Sequence, residues 1–128
     1  MSGKAKWWIE DKELYRLARY YARMYPKWKA EYNAIGGDAR EHEGSVSSGM
    51  FKTSDTEREA IRRERIRRKL DKIENAAREA DAAIFPWILD AAAYGRTFDE
   101  EKAKGLPCEQ TMYYEKRRKF YYILSTLL

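Results

Sequence analysis

The feature that most constrains this chain is a tripeptide, Gly105-Leu106-Pro107, set between two helix starts. On its N-terminal side, Thr97-Phe98-Asp99-Glu100 has the spacing of a capping box: the threonine hydroxyl accepts from a first-turn amide and the glutamate reaches back to the cap. A helix of only about two turns is expected there, with Gly105 as the left-handed residue after its end and Pro107 fixing the backbone before the next start. From Cys108 or Glu109 to the C-terminus a second helix follows, and it carries Lys116-Arg117-Arg118-Lys119 among Tyr113, Tyr114, Phe120, Tyr121 and Tyr122. Two helices joined by a tight turn outline a helix-turn-helix.

The remainder reads as helix as well, with no convincing strand and no internal repeat. Leu14, Leu17, Tyr21, Met24 and Trp28 recur at intervals of three and four, which gathers them on one helical face. The spacing predicts a helix from about Asp11 to the mid-thirties, kinked or broken near Tyr25 because Pro26 lacks an amide donor, and stopped by Gly36-Gly37. From Gly36 to about Thr53 only Val46, Met50 and Phe51 are large and apolar, so a long mobile loop is expected, with Met50-Phe51 held against the helices.

Ser54-Asp55-Thr56-Glu57 repeats the capping-box spacing and predicts the start of a long helix. Its stripe of Ile66, Leu70, Ile73, Ala77, Ala80 and Ile84 is heptad-like, and Arg62 to Lys69 is dense in charge. That arm fits a solvated helix packed on one side; it also fits a phosphate-contacting or dimerising arm. Phe85-Pro86-Trp87 then interrupts it, because proline suits the first turn of a new helix, and an apolar helix continues to Gly95. Trp28 and Trp87 belong to the expected core. Trp7-Trp8 is either buried against the helices or an exposed partner-binding patch.

These elements define an all-α fold, a helical bundle with a long helical arm and a C-terminal helix-turn-helix. At 128 residues the chain has about one domain's length, so one structural unit is expected, with an N-terminal helix and loop over residues 1–53 and the long helix with the helix-turn-helix over 54–128. Charged residues at 37% beside aromatics at 14% describe a soluble helical protein with a wet, ion-paired surface. Lone Cys108 fits a reducing compartment, and the N-terminus has no apolar leader, so a cytoplasmic protein that neither spans a membrane nor is secreted is expected.

A net charge of +5 favours a polyanionic partner through counterion release. In a helix-turn-helix the second helix lies in the major groove, base edges facing its first turns and phosphates facing its flanks. Helical spacing sends Met112, Phe120, Ile123 and Leu127 inward, helped by the stem of Lys116, and leaves Gln110, Tyr114, Arg117 and Arg118 outward. Glutamine pairs with adenine and arginine with guanine, while Arg117, Arg118 and Lys119, two turns in, are better placed for the backbone. Double-stranded DNA is therefore the expected partner and Gln110, Tyr114, Arg117, Arg118 and Lys119 the expected contacts. The same residues also fit an amphipathic C-terminal helix whose cations suit its dipole.

No Ser/His/Asp order, P-loop or dinucleotide fingerprint is present, and a single His42 with Cys108 makes no zinc spacing. No enzyme activity, cofactor or metal is expected. Asp99-Glu100-Glu101 suits a first helical turn better than a metal. Cys108 is either a thiol activated by a helix start or a small side chain fitting the turn.

The stretch from Ser54-Asp55-Thr56-Glu57 through Ile73-Glu74 and Ala80-Asp81 to Leu106-Pro107-Cys108, Met112-Tyr113-Tyr114 and Arg117-Arg118-Lys119-Phe120-Tyr121 resembles the phage-derived transcriptional regulators of the RinA and ArpU type from Gram-positive bacteria. The resemblance covers roughly residues 54–128 and, more weakly, residues 25–29. It implies a small all-helical protein ending in a helix-turn-helix similar to that of sigma factors, acting on late or packaging genes of prophages inside the bacterial host. Such regulators often hold serine, glycine or arginine where Glu109-Gln110 stands here, and an acid among phosphates costs affinity unless it accepts from a cytosine amino group. The alternative is a phage-encoded helical protein-interaction module, a scaffold, packaging factor or inhibitor of a host complex. Its partner would be RNA polymerase or another phage or host protein, with Trp7-Trp8 as contact and the apolar stripe as a homodimer seam.

Overall fold

Six helices and no strand make up the described residues of the computed structural model, which comprise the backbone of 6–42 and 49–128 and the side chains of 6–35 and 55–128. Asp11 starts α1 (Lys12–Arg23) by accepting from the amides of Glu13 at 2.9 Å and Leu14 at 3.1 Å. The helix ends at Met24, and α2 (Tyr25–His42) begins with Pro26 in its first turn, where a missing amide costs nothing. The break expected at Pro26 is thus present. Gly36-Gly37, in contrast, does not stop α2. Glycine's penalty of about 1 kcal/mol in a helix is a weak prior that context overrides.

Helix α3 (Gly49–Ala80) starts ahead of Ser54, so Ser54-Asp55-Thr56-Glu57 lies inside a helix and caps nothing. The expected loop over 36–53 is therefore helical at 36–42 and 49–53, and its remaining residues, Val46 among them, lie outside the described ones, as do the side chains of Met50 and Phe51. The division expected at 53/54 falls within α3. After Ala80, Asp81 accepts from the amides of Ala83 at 2.8 Å and Ile84 at 3.0 Å, turning the chain into α4 (Phe85–Tyr94) with Pro86 in its first turn. Helices α5 (Phe98–Ala103) and α6 (Gln110–Thr126) complete the chain.

Two compact units divide these elements. In the first, residues 26–71, Trp28, Ile35, Ile66 and Leu70 are buried. The guanidinium of Arg63 lies 3.9 Å from the centre of the Tyr32 ring and the ammonium of Lys69 4.7 Å from that of Trp28, so cationic side chains roof the aromatic ones. Arg62 pairs with Glu31 at 3.6 Å.

The second unit, residues 6–25 with 72–128, holds the larger core. Helix α1 packs on α4 and α6, and α4 on α5 and α6. Ile73, Ile84, Ile88, Phe120 and Leu124 are all but fully buried, each contributing about 1.5–3 kcal/mol of apolar burial. Ala18 and Ala22, with no exposure at all, form the inner face of α1. This corrects the face drawn through Leu14, Leu17, Tyr21 and Met24, since Leu17 is 46% exposed. Small side chains let helix axes approach closely, and a pattern search weighted towards large residues passes over them. Of the stripe expected along the long helix, Ile66, Leu70, Ile73, Ala77 and Ala80 lie on α3 and are buried as their spacing predicts, while Ile84, also buried, stands beyond the Asp81 turn at the start of α4, so the helix breaks earlier than expected. Trp87 is half-buried, less than expected.

Candidate nucleic-acid interface

The segment before α6 is fixed by its own polar groups. Thr97 Oγ1 accepts from the Glu100 amide at 3.1 Å and Glu100 Oε1 accepts from the Thr97 amide at 2.8 Å, completing the capping box. These bonds to Thr97 hold the Glu100 carboxyl below its usual range. At the other end of α5, Gly105 adopts a φ of +104°, its amide donates to Lys102 O and that of Leu106 to Glu101 O. The Lys102 ammonium braces the turn from outside, donating to Leu106 O at 3.2 Å and Cys108 O at 3.1 Å. Leu106 is buried beneath it, and the Phe98 ring meets Tyr113 at 5.4 Å and Tyr114 at 6.2 Å. Two separate helices thus meet through aromatic contact, with α6 starting at Gln110.

Beside the first half of α6 lies a groove of about 240 Å³, bordered by the end of α1, the Gly95-Thr97 connection and α6. Four arginines line it: Arg19 and Arg23, one turn apart on α1, Arg96 in the connection, and Arg117 on α6; Tyr114 and Tyr121 complete the wall. The Arg23 guanidinium lies against Gly95, the left-handed cap of α4. Arg96 is held by Asp90, its Nε 2.9 Å from Asp90 Oδ2, which also receives the Lys104 ammonium at 2.9 Å. Arg117 stands 5.3 Å over the Tyr114 ring and Arg19 5.8 Å over that of Tyr15. Burial pushes the Tyr121 phenol up against the pull of Arg117, Arg19 and Arg23, which line the same groove as its ring. Among the described residues, none of those three forms an ion pair with a carboxylate.

The residues expected at a DNA surface divide between two sides of α6. Gln110 is exposed in its first turn, and Tyr114 and Arg117, half-buried, follow on the same side at intervals of four and three. Arg118 is exposed and borders a second cavity, of about 270 Å³, lined by Trp7, Trp8 and Tyr15. Lys119 is half-buried with its ammonium 5.1 Å from the centre of the Trp7 ring, and Trp7 meets Tyr122 edge-on at 5.4 Å. Trp7 is therefore half-buried, while Trp8 remains 52% exposed.

The inward face of α6 also differs from expectation. Tyr113, Phe120, Tyr121, Leu124 and Ser125 are buried, whereas Met112 and Leu127 are exposed and Ile123 is half-buried. Counting tyrosines as surface residues misplaces the face, because a phenol is mostly ring and its apolar body packs like phenylalanine. Arg19, Arg23 and Arg96 carry no signal in the local pattern that marks α6. The first two are legible as a basic i, i+4 pair on α1, but only tertiary packing brings them to Arg117.

The three acids of α5 do not converge: Glu100 turns to Thr97, while Glu101 turns inward, fully buried. Burial and the neighbouring Asp90 carboxyl push Glu101 up to about 7; Asp90, lifted by its own burial, is brought below its usual range by Glu101 and Lys104. Burial likewise pushes the Cys108 thiol up, which argues against an activated nucleophile. No described helix is long and apolar enough to cross a membrane. What the arrangement offers chemically is a helix edge carrying an amide, a phenol and a set of guanidinium forks, groups suited to planar and tetrahedral oxyanions. The chain matches no known protein family, no curated protein and no solved structure in comparison with each.

Proposed function

We propose that this protein binds double-stranded DNA through the Gln110-Tyr114-Arg117 edge of α6 and the arginine groove beside it, and that it serves as a transcriptional regulator of the prophage type. The observation that carries this reading is the convergence of Arg19, Arg23, Arg96 and Arg117 beside the first half of a helix that follows a capped helix and a tight turn. A duplex offers phosphates to the arginines and base edges to Gln110, so a single docking uses both. The +5 net charge adds long-range attraction. A gel-shift titration with mixed-sequence duplex at low and moderate salt tests it: affinity should fall steeply with salt, and absent or salt-indifferent binding would discard the proposal.

A second reading has its own observation. Trp8 is 52% exposed at the edge of the cavity lined by Trp7, Tyr15 and Arg118, a composition common at protein hot spots. In that reading the chain is a phage-encoded interaction module whose partner is RNA polymerase or another phage or host protein. Replacing Trp8 by alanine should then abolish partner capture while duplex binding is unaffected.

A further inference from the structure

We infer that the groove formed by Arg19, Arg23, Arg96 and Arg117 is a phosphate-binding site, taking one tetrahedral phosphate group between α1 and α6. The inference deepens the DNA-binding reading by assigning α1, outside the helix-turn-helix segment, a role in holding the ligand. Each arginine taken singly has a local explanation. Arg23 sits in the last turn of α1, where a cation suits the dipole, Arg19 stands over Tyr15, Arg117 over Tyr114, and Arg96 has Asp90. None of these explains why four guanidinium groups from three separate segments line a single groove with only one carboxylate among their partners in the described residues.

Like charges lining one groove repel one another, and water at the exposed Arg19 and Arg23 screens that repulsion without cancelling it. An anion removes that cost. Phosphate fits better than a carboxylate ligand because it presents oxygens in several directions at once, which guanidinium forks approaching from both walls of a groove can meet bidentately. Asp90 supports this use: its carboxylate pairs with Arg96 by charge without a hydrogen bond to the buried Nε, and Lys104 takes the same oxygen, so the Arg96 guanidinium keeps donors to offer an anion. The groove is open enough, at about 240 Å³, for a phosphate that belongs to a larger molecule. Two sources share that chemistry, a phosphodiester of the duplex backbone and free inorganic phosphate.

The test uses the full chain with Arg23→Gln and the double variant Arg19→Gln, Arg23→Gln, against Arg16→Gln, which removes one charge from the same helix at a residue paired with Glu13. One arm measures affinity for a mixed-sequence duplex across a salt series. The double variant should bind about tenfold or more weakly at low salt, with the slope of log affinity on log salt reduced by about 0.9 for each phosphate that is no longer neutralised, and Arg16→Gln should follow the wild type. The other arm measures the melting temperature in inorganic phosphate against chloride of equal ionic strength. Phosphate-dependent stabilisation that Arg23→Gln abolishes supports the site with free phosphate as its source. A wild-type chain that fails to bind duplex yet gains this stabilisation removes the DNA-binding reading and keeps the site. If the double variant folds, binds duplex with wild-type affinity and slope, and phosphate stabilises neither protein, the site is overturned while the DNA-binding reading stands.

Discussion

Arg23 lies so close to Gly95 that a methyl group added at residue 95 would sit 2.5 Å from its Nη2 atom. Gly95 ends α4 at φ +68°, in the left-handed region, and its missing side chain leaves the space that the guanidinium fills. Backbone economy and groove architecture therefore coincide at one residue.

Gly95→Ala should act on both. The left-handed conformation costs a non-glycine residue about 1–2 kcal/mol, and the far end of Arg23 is displaced by the new methyl group at little further cost. A urea midpoint lowered by that amount, together with duplex affinity reduced several-fold, is the expected result. Full stability with unchanged binding would show that Arg23 does not need this position.

Stability should fall as pH rises towards neutrality. Glu101 carries its proton up to about 7 when folded, against 4.5 when free, so the folded state binds that proton more tightly than the unfolded chain. The associated stability is fully present below about pH 4.5 and is lost as pH rises through about 7. Asp90, shifted the other way, contributes above its free value and stays ionised across this window. A loss of about 2 kcal/mol between pH 5 and pH 8 is expected from the size of the Glu101 shift. Glu101→Gln keeps the shape and stays uncharged at every pH, so it should flatten the profile in denaturant melts at the two pH values.

Tyr113 tests a buried hydroxyl. Its Oη makes no hydrogen bond of good geometry among the described residues, although the Arg117 guanidinium lies near enough to pull on it, and burial pushes its pKa up to about 12. Tyr113→Phe removes an unsatisfied polar atom and keeps the ring against Phe98, so stability should be unchanged or raised by up to about 1 kcal/mol. Phe120→Ala, at a fully buried position further along the same helix, should cost about 3–5 kcal/mol. A destabilising Tyr113→Phe would mean that the hydroxyl has a bonding partner in solution.

The parts of the fold written in local code were readable from the sequence. Thr97 with Glu100, Gly105 with Pro107, and the Ile66-to-Ile84 stripe depend on residues within a turn or two of each other, and their geometry follows from backbone sterics and helical period. What escaped depends on tertiary choices. Ser54-Asp55-Thr56-Glu57 has a capping sequence, yet the helix begins earlier and leaves the box without free amides to cap. The inner face of α6 turns on whether Tyr113 and Tyr121 bury their rings, which their neighbours decide. For the candidate site, Tyr114 and Arg117 were found from the cationic-aromatic run, but Arg19, Arg23 and Arg96 come from segments some twenty to one hundred residues away.

The two proposed uses of α6 separate by residue. Arg117 lines the arginine groove, whereas Trp8 borders the apolar cavity on the side of Arg118 and Lys119, so each substitution touches only one of the two surfaces. Arg117→Ala removes a guanidinium that would meet a phosphate; such an interaction is worth about 1.5 kcal/mol, or close to tenfold in affinity, and its removal should weaken every duplex sequence alike. Trp8→Ala removes a half-exposed ring outside the groove and should leave duplex affinity within twofold. Gel shifts on three unrelated duplexes measure both. If Arg117→Ala binds as the wild type does while Trp8→Ala is the variant that fails, the groove is not where the duplex docks and the tryptophan surface is.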